Sequence, residues 1–202
     1  VKLICERGQR YEYRHPETGE CFFSVSQVRD VMWDGLRRVP YDTLEAARVR
    51  GELLHIYFSL KLGALRGICE APEHLPQYRG YCLAIDTFMA EKRPWPVSVE
   101  TSSFNRKLGV AGTRDADLRF PDTRPGKFDI VDLKTGEETP TDPIQIITYS
   151  KMEGCELCDR LFDLYVRADG TYELRPINPI KHLADEACFM NALQVLKWRA
   201  GR

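Results

Sequence analysis

The sequence predicts an α/β fold, a mixed central β-sheet flanked by helices with an N-terminal helical elaboration. Three observations predict it. Residues 109–134, GVAGTRDADLRFPDTRPGKFDIVDLK, read as a β-hairpin: a strand to about Phe120, the polar turn PDTRPG, and the apolar strand FDIVDL. A long amphipathic helical segment, 43–65, precedes it, and a helix followed by a second strand pair comes after it. At 202 residues the chain is long enough for one well-buried domain and carries no repeat or low-complexity linker. It reads as a single domain, 1–202, with a helical part over about 24–92 and a sheet with its helices over about 95–198.

In chain order, YEYRHPETGECFFSV is a short hairpin turning at HPETGE, and Ser24 or Ser26 caps a helix SQVRDVMWDGL. Pro40 interrupts, and Asp42-Thr43 opens the helix TLEAARVRGELLHIYFSLKLGAL, with Leu44, Ala47, Leu54, Phe58 and Leu65 near one stripe. A loop follows, then the helix YCLAIDTFMAEKR and the first sheet strand, PWPVSVETSSF, joined through NRKLG to the central hairpin. After TGEETPTD, Pro143 starts the helix IQIITYSKMEG, on which Gln145 and Tyr149 share a face. Strands RLFDLYVRA and TYELRPI meet at the turn signal Asp169-Gly170. The last helix, roughly His182 to Trp198, has its stripe at Leu183, Ala187, Met190, Leu193 and Leu196.

A net charge of −1 gives no global support for nucleic-acid binding, so any such role rests on local patches. No apolar run approaches the roughly 20 residues of a membrane span, and VKLICERGQR lacks the layout of a signal peptide. Seven cysteines without a secretion signal point to free thiols in a reducing cytoplasm, an intracellular and nucleoid-associated setting. Cys155 and Cys158 form the only close pair. Completed by Cys5, Cys21 or Cys188 they make a metal site; otherwise they are ordinary thiols.

Chemistry concentrates in the hairpin. Asp132 and Lys134 point the same way, and Asp132 ends an apolar strand where an acid is costly. If the turn is symmetric about Thr123–Arg124, Asp115 faces Asp132 at roughly 5 Å, where two carboxylates repel unless a cation lies between them. Asp117 then faces Ile130. A turn symmetric about Arg106–Lys107 sets Glu100 opposite Thr113, diagonally beside the acidic pair. His55 lies in its helix with small residues, Gly51 and Ser59, one turn to either side, and is either a ligand beside that notch or a packed boundary residue.

The order RGELLH, GTRD, VDLKTG and QIITY, with SVSQV before and ALQVLKWRAGR after, resembles the RecB-type exonucleases of the PD-(D/E)XK nuclease superfamily. The likeness runs from about Phe23 to the end. Arg114 departs from it, the family often having a small or apolar residue before the Asp, and the cysteine pattern of the iron–sulfur branch is missing. The resemblance implies a restriction-endonuclease-like (PD-(D/E)XK) fold and a stand-alone, divalent-metal-dependent exonuclease acting on DNA ends. It implies Mg²⁺ or Mn²⁺ held by Asp115, Asp132 and the Leu133 carbonyl, with His55 as the extra ligand; an imidazole ligand favours Mn²⁺. Asp115, Asp132, Lys134 and Glu100 are then the catalytic set. Gln145 and Tyr149 line the site and help position the DNA strand or Lys134. Arg48 and Arg114, with Arg50, Arg106 and Lys107, are the candidate phosphate contacts. The rival readings are a structure-specific endonuclease with the same site and a non-catalytic DNA-binding module on the same fold.

Overall fold

A computed structural model describes residues 4–7, 11–33 and 39–201. In chain order the elements are β1 (Ile4–Arg7), β2 (Tyr11–Arg14), β3 (Cys21–Ser24), α1 (Val25–Met32), α2 (Tyr41–Leu65), α3 (Arg79–Lys92), β4 (Trp95–Asn105), β5 (Val110–Arg119), β6 (Phe128–Lys134), α4 (Asp142–Ser150), β7 (Cys158–Val166), β8 (Tyr172–Ile177) and α5 (Leu183–Arg199). The eight strands form one mixed sheet in the order β1-β2-β3-β5-β6-β7-β8, with β4 also paired to β5. The β3–β5 and β6–β7 ladders are parallel and the others antiparallel. The expected α/β architecture, a mixed sheet flanked by helices, is the observed one.

Helices cover both faces because the buried strands are apolar on both sides. On one face α2 and α3 bring Leu54, Phe58, Ile85 and Phe88 onto Ala116, Leu118, Val131 and Leu133. On the other, α1, α4 and α5 bring Val28, Ile144, Ile147 and Leu193 onto Ile130, Leu161 and Ile177. Ser24 caps α1 in a capping box with Gln27, whose side chain reaches back to the Ser24 N–H. The helix that Ser24 starts was expected to run to Leu36, and residues 34–36 lie outside the described residues.

Several expectations are corrected. The strand 94–104 is not the first of the sheet: β3 joins it through the parallel pairs Phe23↔Val110 and Ser24↔Ala111, bringing β2 and β1 with it. In α2 the buried residues are Leu54, Tyr57, Phe58 and Leu62, while Leu65 at its end is exposed. In α5 they are Phe189, Ala192 and Leu193, leaving Leu183 and Met190 in solvent. The helix expected through Gly154 stops at Ser150, so Cys155 lies in the turn before β7 and Cys158 is that strand's first residue.

Candidate active site

Strand β5 pairs with β4 along most of its length, but its other edge is shared. Val110 and Ala111 pair with β3, and Ala116 to Leu118 pair with β6. Between them, residues 112–114 pair with β4 alone and Asp115 lies in no ladder. The sheet therefore opens on one side of β5, and β3 and β6 diverge around the GTRD segment. The β5–β6 register is the one expected, Asp117 facing Ile130, and it stops at Ala116↔Val131, one step short of Asp115 and Asp132. Freed from the ladder, Asp115 turns its Oδ2 to accept the Leu133 N–H at 2.7 Å.

The β4–β5 register differs from expectation by two residues: Ser102, not Glu100, faces Thr113. The cause lies in the turn. Asn105 accepts the Gly109 N–H on its carbonyl at 2.8 Å and the Leu108 N–H on its Oδ1 at 3.0 Å, closing residues 106–109 with Gly109 at φ 77°. A slip of two keeps every side chain on its face. It moves Glu100 to the level of Asp115, between Val99↔Ala116 and Thr101↔Arg114. Glu100 has φ 48°, a left-handed conformation that a residue with a Cβ adopts only under constraint.

These departures from regular strand geometry gather the donors. His55 Nδ1, from α2, lies 3.1 Å from Asp115 Oδ1. One ligand atom each from His55, Glu100 and Asp115 falls within 4.8 Å of the others. Burial pulls the His55 imidazole down, but Asp115, Asp132 and Glu100 outweigh it and hold it up at about 9. Glu100 is exposed on the cleft wall, yet partial loss of hydration, then the Asp115 charge, pushes its carboxyl up to about 7. Asp132 is raised by burial against the pull of Lys134, whose Nζ lies 2.5 Å from Asp132 Oδ2.

Lys134 is fixed from a second side by α4. Its Nζ donates to Gln145 Oε1 at 2.8 Å, and Gln145 Nε2 donates to the Tyr149 hydroxyl at 2.9 Å. The Tyr149 ring fits because residue 112 is glycine: an added Cβ would fall 2.5 Å from Tyr149 Cε1. Arg29 of α1 also donates to Gln145 Oε1, and to Asp142 Oδ1 at 2.8 Å and Thr141 Oγ1 at 3.2 Å. Asp163, in register with Asp132 across the parallel ladder, is fully buried; burial pushes its carboxyl up to about 7 despite Lys134 nearby.

The cluster opens on a cleft of about 670 Å³ whose walls include Tyr13, Ser24, Gly51, His55, Ser59 and Tyr149. The notch of Gly51 and Ser59 around His55 is thus part of the cleft wall. No family model matches the chain, and no curated protein gives a significant match. Among solved structures, the chain is similar to an alkaline exonuclease (LHK-Exo) from Laribacter hongkongensis. Identity is 14%, the TM-score is 0.44, and the match covers 89% of this chain and 93% of that one.

Other expected residues lie elsewhere. Arg114 is no surface contact: it is buried, donating Nε and Nη2 to the two carboxylate oxygens of Asp117 at 3.0 Å and Nη1 to Ser103 at 2.6 Å. Arg114 and Asp117 meet on one face although three apart, because strand alternation breaks at Asp115. Arg48 lines the cleft with its guanidinium held by Glu45 at 2.6 Å and Glu52 at 2.5 Å. Arg50 lies over the Tyr81 ring with its Nε buried, and Arg106 pairs with Glu20. Arg48, Arg50, Arg106 and Arg114 of the expected basic patch thus contact other residues of the chain, while Lys107 is exposed in the β4–β5 turn. Cys155 is buried in the core, and burial pushes its thiol up to about 11 and that of Cys158 to about 12.

Arg29, Asp142 and Asp163 escaped the sequence reading. Asp163 carried a usable signal, an acid inside the apolar run LFDLYV, as Asp132 sits in FDIVDL. Asp142 precedes Gln145 by three on the same helix face. Nothing local marks Arg29, which meets α4 only through the fold.

Proposed function

We propose that this chain is a single-domain, divalent-metal-dependent nuclease that hydrolyses DNA phosphodiesters, acting on DNA ends. The observation that carries this reading is the convergence of His55, Glu100 and Asp115 within 4.8 Å at a cleft, beside the Asp132–Lys134 pair. The donor set fits such an ion: one imidazole nitrogen and carboxylate oxygens suit Mn²⁺ or Mg²⁺. His55, Glu100 and Asp115 would hold the ion, and the RecB-type resemblance adds Asp132 and the Leu133 carbonyl. When bound, such an ion polarises a phosphodiester and lowers the pKa of the attacking water.

The chain's own groups do the rest. Asp115 is fixed by the Leu133 N–H and His55 by Asp115, so both are already oriented, and a bound cation would displace the proton that the acidic neighbours hold on His55. Lys134, buried and held charged by its acidic neighbours, orients the water and stabilises negative charge developing on the phosphate. Gln145, anchored on the Tyr149 hydroxyl, holds the Lys134 ammonium beside Asp132. The RecB-type resemblance supports DNA as the substrate and the exonuclease mode.

The test is digestion of end-labelled linear and closed circular DNA with Mg²⁺, Mn²⁺ or EDTA. Loss of the linear substrate with either ion, and survival of the circle, is the expected result. Cleavage of the circle identifies the endonuclease reading, and no cleavage of either identifies a binding module.

A further inference from the structure

Lys134 occupies the carboxylate that a bound cation needs. Its Nζ lies 2.5 Å from Asp132 Oδ2, and two positive charges cannot both hold that oxygen in a buried site without strong repulsion. A cation that takes Oδ2, rather than sharing the carboxylate through Oδ1, therefore displaces the ammonium to another seat. Gln145 Oε1 is one neighbour, and it already accepts from Arg29. Asp142 is another, with its Oδ1 3.7 Å from Nζ, but its carboxylate is well supplied. It accepts from Arg29 Nη2 at 2.8 Å, from the Thr139 hydroxyl and N–H at 2.6 and 2.9 Å, and from the Tyr165 hydroxyl at 3.1 Å.

Asp163 is different. It stands beside Asp132 on the adjacent strand and is fully buried, and neither of its oxygens has a hydrogen-bond partner among the described residues. A bare buried carboxylate is costly, and a fold that keeps one beside a buried ammonium gains something from it. Substituting it by a neutral residue would remove the cost without opening a cavity, so packing does not explain it.

We propose that Asp163 is a positioning residue, the second seat of Lys134: the ammonium sits on Asp132 in the metal-free protein and turns to Asp163 when a divalent cation takes Asp132. Resting on the metal-site reading above, this makes Asp163 set metal affinity without touching the metal. It also keeps Lys134 beside the acidic cluster, because the turn is a side-chain rotation about a fixed strand position.

The experiment is calorimetric titration of Mn²⁺ into the wild-type protein, Asp163→Asn, Lys134→Met and the double variant. With its second seat removed, Lys134 competes harder for Asp132, so Asp163→Asn weakens Mn²⁺ binding about tenfold, within the usual range of coupling between sites. Without Lys134 the competitor is gone, so the double variant binds as tightly as Lys134→Met alone. A role of Asp163 in packing would leave the loss in place in the double variant, and that result overturns the proposal, as does wild-type affinity in Asp163→Asn. A ¹⁵N measurement of the Lys134 ammonium in the unaltered protein needs no variant: Mg²⁺ shifts its resonance if it changes seat, and an unmoved resonance at saturating Mg²⁺ overturns the proposal. A wild-type protein that binds no Mn²⁺ fails the metal-site reading itself and this proposal with it, whereas wild-type binding with no effect of Asp163→Asn fails this proposal alone.

Discussion

Glu100 holds a left-handed backbone at φ 48° and a carboxyl raised to about 7 by partial loss of hydration and by Asp115. Both features cost stability, and both serve the juxtaposition of Glu100 with His55 and Asp115. Glu100→Gly relieves the backbone and the repulsion, offset in part by the freer unfolded chain. Denaturant unfolding in EDTA should show a gain of about 1 kcal/mol, while calorimetry shows weaker Mn²⁺ binding. His55 tests the other side of the cluster. His55→Ala should keep the fold and need far more Mn²⁺ for half-maximal cleavage; a large drop in melting temperature with an unchanged Mn²⁺ requirement would make His55 a packing residue. The sequence made Asp132 legible as an acid in an apolar strand, His55 by its notch, and Asp115 by the hairpin symmetry that sets it opposite Asp132. It hid the strain at Glu100, since φ 48° at a glutamate comes from the register and the break at Asp115 rather than from any turn motif.

At the scale of elements, α4 matters through its contact with β5. Tyr149 lies against Gly112 so closely that Gly112→Ala forces the ring aside, and the hydroxyl that accepts from Gln145 moves with it. Such overpacking should cost about 1–3 kcal/mol in chemical denaturation and lower kcat more than KM. The α2–α3 pair is tied by a hub at Asp86, which accepts from the Tyr57 hydroxyl at 3.0 Å and pairs with Lys61 and His74 at 2.8 Å. Burial raises the Asp86 carboxyl, but Lys61, His74 and Tyr57 together lower it below its ordinary value of 3.8. A lowered carboxylate stabilises the fold above its unfolded pKa, and that stability is lost as pH falls through the folded value. Asp86→Asn should therefore cost about 1–2 kcal/mol at neutral pH, a difference that shrinks on acidification below about pH 4, measured by urea unfolding across pH. The β5–β6 register was readable because the turn PDTRPG is nearly symmetric and the flanking strands alternate. The β4–β5 register was not, because the Asn105 side chain moves the turn centre by one residue. The stripes of α2 and α5 were misread for a related reason: both helices scatter apolar and charged residues around the circumference, so which residues are buried depends on where the sheet lies.

For the whole molecule, the central feature is a sheet that opens around β5 while helices hold the opening from both faces. From one side α2 delivers His55, and from the other α4 and α1 deliver Gln145, Tyr149 and Arg29. Periodicity and turn residues give the strands and helices in order. They cannot give the divergence of β3 from β6, because a strand shared by two partners on one edge looks locally like any other. The meeting of Arg29 with Asp142 and Gln145 also depends on the fold and was out of reach, whereas Asp163 was marked by its place in LFDLYV and only its lack of a partner was hidden. The account stands or falls on Asp132 as the acid that joins the cation site to Lys134. Its most direct test is cleavage of end-labelled linear DNA by Asp132→Asn beside the wild type in saturating Mn²⁺, with both proteins shown to be folded by near-ultraviolet circular dichroism. The account expects a folded variant whose cleavage falls by on the order of 10³-fold or more; a folded variant that cleaves near the wild-type rate would contradict it.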